Sequence, residues 1–161
     1  MDGTVQLLAY GLDDITYALH LHAVVRVFPA VEVTPLPDAP GSVLGIINVR
    51  GRVVPVINMR KKLRLPEREI ELQDQLIMAT TARRTVALVV DAVAGVVECP
   101  ESELAGARDV VADGYGEGFI EGVVTLGNGM VLIQSLDRFL SSEEEERLDA
   151  SLQKGVGTVS L

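Results

Sequence analysis

The chain reads as two copies of one pattern, and this limits its fold more than any composition figure does. Leu7 to Phe28 (LLAYGLDDITYALHLHAVVRVF) lies without a gap over Leu76 to Val97 (LIMATTARRTVALVVDAVAGVV), 69 residues on. Thr16, Ala18, Leu19, Ala23, Val24 and Val27 then fall on Thr85, Ala87, Leu88, Ala92, Val93 and Val96. Gly45 to Leu63 (GIINVRGRVVPVINMRKKL) lies in the same way over Gly122 to Leu140 (GVVTLGNGMVLIQSLDRFL), 77 residues on. Turns, glycines and apolar positions stay in register through both blocks, the mark of a duplicated unit.

Each copy holds two pairs of short apolar runs separated by turn residues, the signature of β-hairpins. The first pair is Thr4 to Tyr10 and Ile15 to Leu21 around Gly11-Leu12-Asp13-Asp14. The second is Leu44 to Val49 and Val53 to Met59 around Arg50-Gly51-Arg52. The third is Gln75 to Thr81 and Thr85 to Val90 around Ala82-Arg83-Arg84, and the fourth Gly122 to Leu126 and Met130 to Gln134 around Gly127-Asn128-Gly129. Evenly spaced short strands without long helical patterns predict a mainly all-β fold, antiparallel barrels or a sandwich, and two copies suggest two small barrels in a single domain over residues 1–161. Val53 to Met59 and Val86 to Val90 are apolar on both faces. One face is expected to fill the strand's own barrel and the other to pack on the sister barrel. Pro55 has no N–H for a ladder and is expected at an edge or bulge. Short helices are expected at Met59 to Leu63 and Leu136 to Leu140. A C-terminal helix is expected over 142–153, where Ser141 or Ser142 with Glu144 or Glu145 can form a capping box. Gly155 to Leu161 reads as a frayed tail, and Pro29 to Val43 and Glu98 to Glu121 as long loops.

With 23 acidic and 14 basic residues and a formal charge of −9, the chain is a poor generic ligand for nucleic acid. Its longest apolar stretch, Thr85 to Val97, contains Asp91 and is shorter than the roughly 20 residues of a spanning helix. The single cysteine, Cys99, excludes an internal disulfide, and the first residues lack a basic start with a long apolar run. A cytoplasmic protein without membrane insertion is the expectation.

No catalytic constellation emerges. His20 and His22 alternate along a strand without a third ligand at a recognisable spacing, so metal binding is not expected. Cys99 has no neighbour that would lower its pKa. Gly114, Gly116 and Gly118 form a GxGxG run that neither follows a clear strand nor opens a helix. Asp13 and Asp14 are turn residues, and Asp91 ends a strand. No cofactor is expected, and the chain reads as a binding module. The binding surface is sought in the difference between the copies. Arg50, Arg52, Arg60, Lys61, Lys62 and Arg64 crowd positions 50 to 64. Where the second copy has Gly127-Asn128-Gly129 the first has Arg50-Gly51-Arg52, and where it has Leu136-Asp137-Arg138-Phe139 the first has Met59-Arg60-Lys61-Lys62. A turn needs only its glycine. The arginines and the basic run are therefore left over for partner binding, which forked guanidinium donors suit.

At these residues the chain resembles the CheW-like family of chemotaxis coupling proteins. GIINVRGRVVPVINMRKKL is similar to the family segment in which an Asn-Leu-Arg-Gly type turn leads into a Val-Pro-Val-Ile-Asp-Leu-Arg strand. Tyr17 to Val27, the VVDAV at Val89 to Val93 and the closing GNGMVLIQSLDRFLSSEE are similar too, so the resemblance covers Val5 to Asp149. It implies two intertwined five-stranded SH3-like β-barrels related by pseudo-twofold duplication, around 15–70 and 71–140, with strands able to swap between them. It also implies a non-catalytic adaptor linking chemoreceptor tips to the regulatory domain of a CheA-type histidine kinase, recruited to membrane-associated arrays.

For single residues the resemblance implies receptor contact at Arg50, within Arg50-Gly51-Arg52, and a receptor-facing groove at Val24. It implies a strand-opening glycine at Gly45 and a second-barrel segment at Val89 and Val93. Arg26 departs from the pattern. Family members carry a glutamate there in a Val-x-Glu-Ile sequence, and a reversed charge changes which partner the surface tolerates. Asn58 and Met59 replace aspartate and leucine. Two other readings stay open. One is an adaptor of the same fold in a non-flagellar pathway such as twitching or surface sensing. The other is a small barrel enzyme or ligand-binding protein, which a pocket of converging His20, His22 and carboxylates would mark.

Overall fold

The computed structural model describes residues 3–104, 120–127 and 129–159. Asn128 and the Gly114, Gly116, Gly118 run lie outside the described residues. The first copy supplies β1 (Thr4–Leu12), β2 (Ile15–His20), β3 (Val24–Pro29), β4 (Val43–Val49) and β5 (Arg52–Ile57). The second supplies β6 (Gln75–Thr80), β7 (Thr85–Val90), β8 (Ala92–Pro100), β9 (Ile120–Leu126) and β10 (Gly129–Gln134). A short helix α1 (Met59–Lys62) follows β5, 3-10 turns occupy Leu21–Ala23, Glu101–Glu103 and Leu136–Arg138, and helix α2 (Ser142–Val159) closes the described chain.

The hairpin pattern anticipates eight of these strands and misses β3 and β8. Both are edge strands whose side chains are mostly exposed or half-buried, and each pairs with a strand far along the chain, β3 with β6 and β8 with β1, so no tight turn announces either. Helix α2 also runs past the expected residue 153 to Val159.

One sheet has the order β8-β1-β2-β10-β9 and the other β3-β6-β7-β5-β4. Replacing every strand by its repeat counterpart turns one order into the other. Each sheet thus takes the leading hairpin of one copy and the remaining three strands of the other. The second sheet spans residues 24–90, and the first joins 4–20 to 92–134. Sheet membership therefore departs from the sequential division at residue 70, because the hairpins are exchanged. Short parallel ladders, β2 with β10 and β5 with β7, lie where each exchanged hairpin meets its host.

The cores repeat as well. Leu7, Ala18, Val124, Val131 and Ile133 pack with Cys99 inside the first sheet. Their counterparts Leu76, Ala87, Ile47, Val54 and Val56 pack with Met78 inside the second. Between the sheets lies a larger shared core that includes Leu8, Tyr10, Leu19, Ile57, Met59, Ile77, Leu88, Phe139 and Leu148. Alternation explains the arrangement: along β7, Val86, Leu88 and Val90 face the shared core while Ala87 faces its own sheet's core. This is the two-sided burial expected from the unbroken apolar runs. Each fully buried leucine contributes roughly 1.5–3 kcal/mol, and the shared core binds the two sheets into one body.

Pro55 is not on an edge strand, since β5 lies between β7 and β4. Its partner Ile46 exchanges its N–H and C=O with Thr34 instead, at 2.8 and 2.9 Å. The ladder from β5 to β7 begins only at Val56, so the missing N–H falls just before any bond would need it. Helix α2 is capped as expected. Ser141 Oγ accepts the Glu144 N–H at 3.1 Å, and Glu144 Oε1 accepts the Ser141 N–H at 3.0 Å.

Candidate partner-binding site

β4 and β5 pair as far as Val49 with Arg52, leaving Arg50 and Gly51 as a two-residue turn. Their φ angles are 53° and 82°, the left-handed pair of a type I′ hairpin. Asn48 Oδ1 accepts the Gly51 N–H at 2.7 Å and holds the turn. Glycine fits this geometry without strain, whereas arginine carries a Cβ penalty on the order of 1 kcal/mol. The Arg50 side chain is exposed and makes no hydrogen bond or ion pair among the described residues. No contact among the described residues repays the strain.

Arg52 opens β5, and its Nη2 donates to Thr85 Oγ1 at 3.1 Å. Arg26 is exposed on β3 opposite Met78, just past a bulge at Val25. Val24 is half-buried and packs on the shared core. These four residues and Gly51 gather toward the end of the second sheet where β6 turns into β7. Val89 and Val93 do not join them. Val89 pairs with Leu76, and the Val93 N–H donates to Gln75 Oε1 at 2.7 Å, both at the far end of β6. Gly45 is buried, and a Cβ placed on it would lie 2.2 Å from the Thr34 carbonyl oxygen. It lets the loop before β4 pair with Ile46.

The basic run after Met59 is a different matter, and here subtraction of the copies misleads. Arg60 is 9% exposed. Its Nη2 lies 2.9 Å from Asp13 Oδ1 and 2.9 and 3.0 Å from the two Asp91 oxygens, while Nη1 donates to the Pro66 carbonyl at 2.9 Å. Arg68 bridges Asp91 at 2.7 Å and holds Asp74 through two 2.8 Å bonds. The Arg68 bonds keep the buried Asp74 carboxyl below its usual range despite burial. For Asp91, burial pushes upward and is outweighed by the Asp13 N–H and by Arg60, leaving it low. This network ties α1 of the first copy to the exchanged β1–β2 turn. The counterpart of Arg60, Asp137, does the same for the other hairpin by accepting the Ala82 N–H at 2.7 Å.

Lys62 is also structural: its Nζ lies 2.6 Å from Glu144 Oε1 on α2, and the Ser42 hydroxyl donates to Oε2 of the same carboxylate. Arg84 donates to Glu145 at 2.9 Å and to Asp149. Docking of α2 thus accounts for Lys62 and Arg84, whereas Arg60 is matched by Asp13 and Asp91. Sequence could have signalled this through the run of acids in the first turn of α2.

His20 ends β2, and His22 sits in the 3-10 turn rather than farther along the strand. Their rings stack at 5.4 Å, and His20 Nε2 lies 3.1 Å from Glu121 Oε1. With Thr80, Gln134, Ser135 and Asp137 they line a cleft of about 500 Å³. The converging pocket of the third reading therefore exists. Among the described residues no group of three or more His, Cys, Asp or Glu is placed to hold a metal ion, and no hydroxyl bonds either imidazole. Cys99 is buried in the first sheet's core, and burial pushes its thiol pKa up, away from reactivity. No described helix is long and apolar enough to cross a membrane.

Residues 6–144 match the family model for the CheW-like domain. The chain is 30% identical over 145 residues to chemotaxis protein CheW of Rhizobium meliloti, covering 90% of this chain and 93% of that one. It is 26% identical over 151 residues to chemotaxis protein CheW of Treponema pallidum, covering 91% and 88%. Among solved structures, the scaffolding protein TtCheW of Thermoanaerobacter tengcongensis superposes with a TM-score of 0.80 at 25% identity, over 88% of this chain and 96% of that one.

Proposed function

Because the chain belongs to the CheW-like domain family, we propose that it is a non-catalytic adaptor coupling chemoreceptor tips to the regulatory domain of a CheA-type histidine kinase. The observation that carries the contact assignment is Arg50. An arginine held at φ 53° on a hairpin tip, exposed and without a partner among the described residues, is costly to the fold and available to another chain. A turn also offers the rigid presentation an interface anchor needs. In this reading Arg50, Gly51 and Val24 meet the receptor, Val89 and Val93 belong to a second contact, and Gly45 supports the first from behind. The protein would act in the cytoplasm and reach the membrane only through the receptor array. Weak single contacts would be reinforced by joining two partners at once.

The test is capture by a receptor tip and, separately, by a kinase regulatory domain, for wild type and Arg50→Ala. Arg50→Ala is expected to weaken receptor capture about tenfold, to spare kinase capture and to leave the unfolding midpoint unchanged or higher. Failure of the wild type to bind either partner at tens of micromolar (on the order of a weak signalling contact) ends the adaptor reading.

A further inference from the structure

Arg26 and Arg52 differ from the arginines that hold the fold together. Arg60, Arg68, Arg83 and Arg84 each reach at least one carboxylate. Among the described residues, Arg26 makes no ion pair and Arg52 bonds only the neutral hydroxyl of Thr85. In a chain with 23 acidic and 14 basic residues, internal carboxylates are plentiful, so guanidinium groups left without one are notable.

The two also share a face of the second sheet, with β6 and β7 between their strands. Arg26 is opposite Met78, Thr80 is opposite Thr85, and Arg52 donates to Thr85. Directly opposed residues share a face, and so do residues two apart along a strand. Arg26, Met78, Thr80, Thr85, Val54 and Arg52 therefore fall on one face of the second sheet, at the rim of the core that Met78 and Val54 fill. The sister sheet shows that the fold does not need the charges. The counterparts of Arg26, Arg50 and Arg52 are Gly95, Gly127 and Gly129, and a Cβ on any of those three would meet nothing within 4 Å.

We propose that this rim is a docking surface for an acidic protein segment, with carboxylates placed to engage Arg26 and Arg52 together beside the Arg50 tip. The inference rests on the adaptor reading for the existence of a protein partner and adds the partner's chemistry. Carboxylates of a short segment fit better than a nucleic-acid backbone, because the formal charge of −9 repels an extended polyanion while two forked donors satisfy a local acidic cluster. Arg26 sets the selectivity: a basic partner surface is repelled there.

The test uses the full chain, isotopically labelled, titrated with a capped glutamate-rich peptide, its glutamine counterpart and a short single-stranded oligonucleotide. The Nε–Hε resonances of Arg26 and Arg52 move with the glutamate peptide and not with the glutamine one. The double variant Arg26→Gly, Arg52→Gly, which installs the sister-copy residues, loses about tenfold or more in affinity and much of the salt dependence. Arg26→Gln with Arg52→Gln gives the same loss if glycine loosens the strands. Unchanged affinity in both double variants overturns the proposal, as do equal shifts at Arg83, Arg147 and Lys154 or tighter binding of the oligonucleotide. If receptor and kinase capture fail while these shifts persist, only the adaptor reading falls. If capture succeeds and the shifts are absent, only the acidic segment falls.

Discussion

Gly45 and Gln134 show how much a single position can decide. A methyl group on Gly45 would press into the Thr34 carbonyl, which is backbone and bonded to Ile46, so neither side has room to give. Gly45→Ala is expected to cost about 2–4 kcal/mol in urea unfolding, more than an exposed glycine would. Gln134 runs the other way. It is 1% exposed, neither end of its carboxamide has a partner among the described residues, and its counterpart in the first copy is Ile57. Gln134→Ile should stabilise the protein by about 1–3 kcal/mol, read as a raised urea midpoint. Both residues are visible in the sequence, but their signs are not. A glycine opening a strand and a glutamine closing one become informative only once the neighbouring backbone is in place.

Among elements, the β4–β5 hairpin and helix α2 were the most legible, each for a local reason. The turn is spelled by Gly51 and the cap by Ser141 and Glu144, within a few residues of one another. The strain at the tip belongs to Arg50, so Arg50→Asn should raise stability by about 1 kcal/mol in thermal unfolding while weakening receptor capture. What α2 touches is not local. Burial alone would raise the Glu144 carboxyl, but Lys62, Ser42 and the Ser141 N–H outweigh it and lower it from 4.5 to about 2. A carboxyl lowered by folding adds stability that is complete above pH 4.5 and is lost as pH falls toward 2. The urea midpoint should drop across that window, and Lys62→Met should flatten the part of the drop due to Glu144. Asp74, through Arg68, and Asp91, through the Asp13 N–H and Arg60 acting against burial, contribute in the same direction. The strands β3 and β8 are not legible as hairpin members because their partners, β6 and β1, lie far along the chain and no tight turn joins them.

For the whole molecule, the exchange of leading hairpins makes each copy dependent on the other. Leu72, 97% exposed between the copies, marks a place to divide the chain. Fragments 1–72 and 73–161 should each be unfolded alone, since each lacks the hairpin that completes its sheet, and should regain the β-sheet circular dichroism signal when mixed. Two fragments that fold independently would contradict the exchange. The sequence by itself determined the duplication, the hairpins, the cap and the shared and private apolar faces, because these rest on periodicity and on neighbours along the chain, and its motifs carried the resemblance to the family. Only the tertiary structure decided which hairpin joins which sheet. It also decided that Arg60 and Lys62 serve the fold while Arg26, Arg50 and Arg52 meet no carboxylate among the described residues. The physical reason is that a charge is read by what lies within a few ångströms of it. Asp13, Asp91 and Glu144 reach the basic segment from tens of residues away, and no spacing along the chain announces that they will.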